Sequence, residues 1–190
     1  LKSFKTIDGR QAAEVALSNV KVPVASLLGV EGEALTALQA CRDRAIAALC
    51  AEAVGAMTEL NAATLAYCKT RKQFGVPIGS FQVLQHRMVD MFIALEESIS
   101  LTHHLTLSCD AAEPGLSKLA SGVKAKVGTA AQFVGEQAVQ LHGGMGVSKE
   151  LPLEYIYRVS RVYRIVEGAS EVHRWTLARD LLRGGQPEPQ

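Results

Sequence analysis

Arg71-Lys72-Gln73-Phe74-Gly75-Val76-Pro77-Ile78-Gly79-Ser80-Phe81-Gln82 separates two long stretches of helical periodicity and decides the architecture. Gly75, Pro77 and Gly79 forbid one continuous helix through it, so the flanking helices become neighbours joined by a tight connection. The plainest reading is a helix terminator: Lys69, Arg71 and Lys72 suit the negative pole of a helix dipole, and a turn follows them. A guanidinium beside two glycines can also hold a phosphate through paired hydrogen bonds.

Outward from that stretch, the residue pattern is helical on both sides. Residues 33–70 contain no proline, and Leu38, Ile46, Leu49, Ala53, Met57 and Leu60 recur at the spacing of one helical face. Residues 80–108 carry a second stripe of Leu84, Met88, Met91, Phe92, Leu95 and Ile99. A turn over 110–114 precedes a third helix over 116–141, whose small residues Gly122, Ala125, Gly128 and Ala131 let a neighbouring helix approach closely. Gly143-Gly144-Met145-Gly146 ends that helix, and two shorter helices are expected over 152–164 and 170–183. Residues 1–30 differ: Asp8-Gly9 is a turn signal, and the segments around Ala13–Leu17 and Val20–Val24 alternate as strand ends do. Short strands alone make no stable sheet, so they read as the last edge of a β domain. The expected organisation is therefore the end of a β domain and linker over 1–30, a helical domain over 31–184 and a disordered tail over 185–190. The fold class is mainly α, an antiparallel four-helix-bundle-like domain with a short β remnant at the amino terminus.

Composition narrows the function. With 20 Lys and Arg against 19 Asp and Glu, the formal charge of +1 gives no polyanion footprint, and nucleic acid is not an expected partner. The apolar runs are Ala-rich and interrupted by charges, so no membrane span is expected, and the first residues lack a signal-peptide pattern. The first residue is Leu1, which suggests a piece of a longer chain. The 4 cysteines have no metal-finger or CxxC spacing and read as reduced thiols packed as small hydrophobes.

Two further segments carry chemistry-bearing residue types. Gln140-Leu141-His142-Gly143-Gly144 sets an amide side chain before exposed backbone donors, which suits a ribose or phosphate, although glycines also simply terminate helices. No strand precedes those glycines, so they are not a dinucleotide fingerprint. Glu167 lies between apolar Ile165-Val166 and Gly168. Desolvation there would raise its pKa, as a base for a weakly acidic carbon proton requires. The alternative is a helix cap or an ion pair with Arg164 or Arg174. His142 and His173 read as polar packing residues, and His103-His104 lack the spacing of a metal pair.

Taken together and in order, these segments resemble the carboxy-terminal part of the acyl-CoA dehydrogenase family. The resemblance rests on Tyr67, Arg71–Ile78 with Phe81-Gln82, Gln140–Gly146 and Ile165–Glu171, and on Asn19–Pro23 with Leu27-Leu28-Gly29. It implies an FAD-dependent oxidoreductase that converts an acyl-CoA to a trans-2-enoyl-CoA. Glu167 would be the catalytic base and Gly168 would adjoin the thioester. Arg71, Phe74 and Gln82 would reach the FAD of a neighbouring subunit. Gln140, Gly143 and Gly144 would lie along its adenosine diphosphate, and Ala169 and Glu171 would lie at the flavin.

The implied partners are the acyl-CoA substrate, an electron-transferring flavoprotein and further copies in a homodimer or tetramer, or a hetero-oligomer. The implied location is the cytoplasm of a bacterium or the mitochondrial matrix. Some family members carry the base on the first long helix, where this chain has Ala45, so Glu167 is the base the resemblance supports. Two positions depart from the family pattern: Ile46 stands where a helix Arg is usual, and Ala169 where Thr is frequent. The rival readings are a non-catalytic assembly subunit and an acyl-CoA oxidase.

Overall fold

A computed structural model describes residues 1–184, and the expected tail over 185–190 lies outside the described residues. Strands β1 (Lys2–Lys5) and β2 (Gln11–Glu14) form an antiparallel hairpin that turns at Gly9. The helices are α1 (Ala34–Thr70), α2 (Gln82–Asp110), α3 (Leu116–His142), α4 (Leu153–Val162) and α5 (Ser170–Leu182). The three long helices pack pairwise, and α4 and α5 lie against α3 to complete the fourth side. At 37 residues, α1 runs for about 55 Å.

The core follows the helical spacing of the sequence. Ile46, Met57 and Leu60 of α1, Met91 and Leu105 of α2, and Val123, Val127 and Val134 of α3 are almost fully buried. Burial of each stabilises the bundle by about 1.5–3 kcal/mol. The small residues of α3 do admit close neighbours. A Cβ at Gly135 would lie 3.3 Å from Ser160 Oγ, and one at Gly128 would lie 3.4 Å from Arg164 Cγ. At the amino end of α1, Ser117 Oγ donates to Asp43 Oδ2 at 2.5 Å, pinning α1 to the start of α3.

Several expectations change. Leu38 and Phe92 continue the apolar spacing but remain 64% and 55% exposed, Phe92 at an open groove that it shares with Asn61 and Leu65 of α1. No strand forms over 20–24; a short 3-10 turn occupies Val24–Ser26, since Pro23 has no N–H to donate and no edge lies alongside. The expectation of no membrane span stands apart from these: the most apolar window of α1 is long and apolar enough to cross a membrane, as core helices of bundles also are. One third of that window, 33%, is buried within the bundle. Cys50, Cys68 and Cys109 pack as small hydrophobes, whereas Cys41 is exposed.

The stretch between α1 and α2 is not an irregular loop. Lys72–Gln73 (β3) and Val76–Pro77 (β4) pair as a minimal antiparallel hairpin, followed by a 3-10 turn at Ile78–Ser80. Phe74 and Gly75 both take positive φ, 52° and 82°, as a two-residue hairpin turn demands. Ile78 N–H donates to Arg71 O at 2.8 Å, closing the base of the hairpin on the end of α1.

Candidate active site

Two loci collect the candidate residues. The first is a groove of about 450 Å³ between the end of α1, the β3–β4 hairpin and the end of α3. Arg71, Gln140, Gly143 and Gly144 all line it, together with Gln73 and Tyr67. Tyr67 stacks on His142 with ring centroids 4.3 Å apart, and its hydroxyl donates to His142 O at 3.4 Å. His142 is buried, and its Nδ1 donates to Ala138 O at 2.8 Å, which locks the ring. The histidine is thus the polar packing residue expected. No carboxylate lines the groove, and Arg71 has no ion-pair partner among the described residues. A free guanidinium, two amide side chains and side-chain-free backbone form a donor set suited to a phosphate-bearing ligand.

Phe74 and Gln82 are not in that groove. Phe74 stands 90% exposed at the hairpin tip, its ring edge-on to Phe81 at 6.1 Å, and Gln82 is exposed at the first turn of α2. Both face outward, where they could touch a ligand only if a second body docks there.

The second locus is the turn between α4 and α5. Glu167 takes φ 54° and Gly168 φ 101°, two successive positive values. A non-glycine residue held in this region costs about 1–3 kcal/mol, so the turn must be fastened by its surroundings. Ser170 N–H donates to Arg164 O at 3.1 Å across the turn. His173 Nε2 donates to Glu167 O at 3.0 Å, and Lys124, in the middle of α3, donates from Nζ to Tyr163 O at 3.0 Å and to Gly168 O at 2.8 Å. Gly168 has no alternative at its position, since a Cβ there would meet His173 Nε2 at 2.9 Å.

The Glu167 side chain points away from all this. It is exposed, as are Ile165 and Val166, so neighbours in sequence do not desolvate it. That overturns the expectation of burial by flanking apolar residues. The cap and ion-pair alternatives also fall: among the described residues no hydrogen bond or ion pair holds the carboxylate. Arg164 is occupied by Gln132 at 2.6 Å and Glu171 at 3.6 Å, and Arg174 reaches Thr129 Oγ1 at 3.5 Å. Glu171 thus serves Arg164 on the first turn of α5, next to half-buried Ala169.

Sequence reasoning missed Lys124, which is 2% exposed. Its signal was available, since it sits beside Val123 and four residues after Ala120 on the inward face of α3. Burial pushes its pKa down, opposed by the nearby Cys50 and Glu167. The Cys50 thiol is in turn pushed up to about 12 by burial.

Burial likewise lowers the pKa of His173 from 6.5, against the pull of Glu167 O. A histidine depressed in the folded state contributes stability that is present above its unfolded pKa and lost as pH falls below it, because the unfolded chain takes up the proton first. The thermal unfolding midpoint is therefore expected to fall between about pH 7 and pH 5, and to fall less in His173→Gln. Identical slopes for the two proteins would remove His173 as a source.

The two loci are separate. Lys124 and Gln140 are 16 residues apart on α3, which places the groove about 24 Å from the Glu167 turn. Arg71, Gln140, Gly143 and Gly144 converge; Glu167, Gly168, Ala169 and Glu171 form the other group. Ile46 is fully buried, so that position offers no cation to a ligand, and Arg44 lies exposed beside Asp110 at the far end of α2.

Comparison with known proteins gives consistent matches. Residues 33–182 match the family model for the acyl-CoA dehydrogenase C-terminal domain. The human mitochondrial short-chain specific acyl-CoA dehydrogenase is 34% identical over 178 residues, covering 93% of this chain and 43% of the relative. The solved structure of butyryl-CoA dehydrogenase from Megasphaera elsdenii superposes with a TM-score of 0.91 at 28% identity, covering 96% of this chain and 48% of that one. A chain in the structure of the electron transferring flavoprotein of Acidaminococcus fermentans matches with a TM-score of 0.90 at 32% identity, again over 96% of this chain and 48% of its own length. The chain spans about half the length of the relatives it matches.

Proposed function

The chain belongs to the acyl-CoA dehydrogenase family, as its carboxy-terminal helical domain, and from that premise we propose that it supplies the base for α,β-dehydrogenation of an acyl-CoA thioester. One observation carries the reading: the Glu167 carboxylate is exposed and, among the described residues, held by no hydrogen bond or ion pair, on a turn fastened from beneath. A Glu167 carboxylate oxygen removes the proton from the carbon next to the thioester, and the β hydrogen departs as hydride, leaving a trans-2-enoyl-CoA. Glu167 takes positive φ, and its side chain is exposed on the turn. Ile165 and Val166 flank it with exposed apolar surface that a docked acyl chain or domain would cover.

FAD is the proposed cofactor, and when bound it supplies the acceptor for the hydride. Arg71, Gln140, Gly143 and Gly144 would hold its phosphates and ribose, a role that fits the carboxylate-free groove. Because that groove lies about 24 Å from Glu167 along α3, the proposed assembly has Arg71, with Phe74 and Gln82 outside the groove, serving a neighbouring copy's FAD. The proposed electron acceptor is an electron-transferring flavoprotein; an oxidase would instead release peroxide.

The test uses the full-length protein loaded with FAD. Anaerobic addition of acyl-CoA thioesters of graded chain length and branching is expected to bleach the flavin absorbance with at least one of them, and no bleaching by any would overturn the reading. In the same preparation Arg71→Ala is expected to weaken FAD about 10- to 100-fold, the equivalent of one charged hydrogen bond. Unchanged affinity would remove the groove from the cofactor site.

A further inference from the structure

Lys124 is a large side chain buried in the bundle, and both its hydrogen-bond partners are uncharged backbone carbonyls. A buried cation hydrogen-bonded only to uncharged carbonyls is a poor way to fill space, since an apolar side chain of similar volume avoids the desolvation altogether. What Lys124 grips is specific: Tyr163 O just past the end of α4 and Gly168 O just before α5, the two sides of the turn that carries Glu167. Neither carbonyl receives a backbone N–H in the hydrogen bonding outside the regular helices. From the other side, His173 Nε2 holds Glu167 O itself. The two donors together fix three carbonyls of a turn whose backbone has two successive positive φ values.

We propose that Lys124 is a positioning residue for Glu167, holding the turn in the one conformation that aims the carboxylate outward, with His173 as its second fastening. This rests on the reading of Glu167 as the base. Lys124 itself touches no substrate, because its ammonium lies on the buried side of the turn. A misplacement of about 1 Å in a catalytic group can cost about 100-fold in rate, so the effect should fall on turnover and leave binding alone.

The experiment uses the full-length, FAD-loaded protein. Lys124→Met is expected to lower kcat about 100-fold, with KM and FAD content unchanged. In a Glu167→Gln background the same change should cost less than about 2-fold more, because two groups acting as one unit are not additive. Hydrogen exchange gives a readout independent of turnover: the Ser170 amide, which bridges to Arg164 O, should lose protection in Lys124→Met while amides in mid-α1 keep theirs.

If Lys124→Met does not fold, His173→Gln releases the same turn from the other side and is expected to give the same kcat-only, non-additive loss. Full turnover in Lys124→Met, or a loss that multiplies undiminished on Glu167→Gln, overturns the inference while leaving the base in place. Full turnover in Glu167→Gln overturns the base and this inference together, so the two failures are distinct.

Discussion

Glu167→Gln is expected to lower turnover by about 100- to 10,000-fold, the range over which a positioned general base contributes. The substitution is close to isosteric and removes only the ability to take a proton. Among the described residues no hydrogen bond or ion pair depends on the carboxylate, so the turn should keep its shape. The bonds that fasten it run through Tyr163 O, Gly168 O and Glu167 O, which the change does not touch. FAD content and the thermal unfolding midpoint should therefore match the parent protein, while flavin bleaching by acyl-CoA in a stopped-flow mixer becomes slow. A variant that bleaches at the parent rate would mean that the proton goes elsewhere. Ala45, at the alternative position implied by the family resemblance, has no group to receive it, so the base would then have to come from another part of the full-length protein.

The second large effect is structural. A Cβ at Gly146 would stand 2.4 Å from Val139 O and 2.9 Å from Val139 Cα, atoms of the α3 backbone. Backbone cannot swing aside as a side-chain tip does, so in Gly146→Ala the 3-10 turn over Gly143–Val147 must lift off the end of α3. Overpacking of this kind costs about 3 kcal/mol, which for a chain of this size lowers the Tm by about 6–12 °C. Gly143 and Gly144 line the groove, so FAD affinity should fall with it. Gly144→Ala is the control, since a Cβ there meets nothing within 4 Å. A thermal melt that does not distinguish the two alanine variants would refute the close approach of the turn to α3.

The helices were legible because burial in this bundle follows periodicity. Ile46, Ala53, Met57 and Leu60 are inward as their spacing requires, and Leu38 and Phe92 are the exceptions that stay exposed. The Phe74-Gly75 hairpin was harder to see, since strands of two residues carry no alternation and the signal is the turn alone. The groove residues could be named from types and order, yet their convergence depends on α1 and α3 ending side by side, which no local pattern encodes. Glu167 misled for a related reason. Ile165 and Val166 border it in the chain, but all three residues are exposed on the turn, so sequence neighbours do not bury the carboxylate. Lys124 was hidden by convention: a lysine is assumed to be solvated unless its helical phase is checked against its neighbours.

The left-handed backbone at Glu167 has a consequence for anyone redesigning this domain. Glycine would occupy position 167 without the steric penalty that glutamate incurs, and asparagine with less of it. A procedure that ranks residues by backbone compatibility would therefore favour erasing the carboxylate and would be rewarded with a more stable bundle. Under the proposed role of Glu167, thermostability gained there would come with lost turnover, so position 167 and its two buried fastenings belong among the residues held fixed before any optimisation begins.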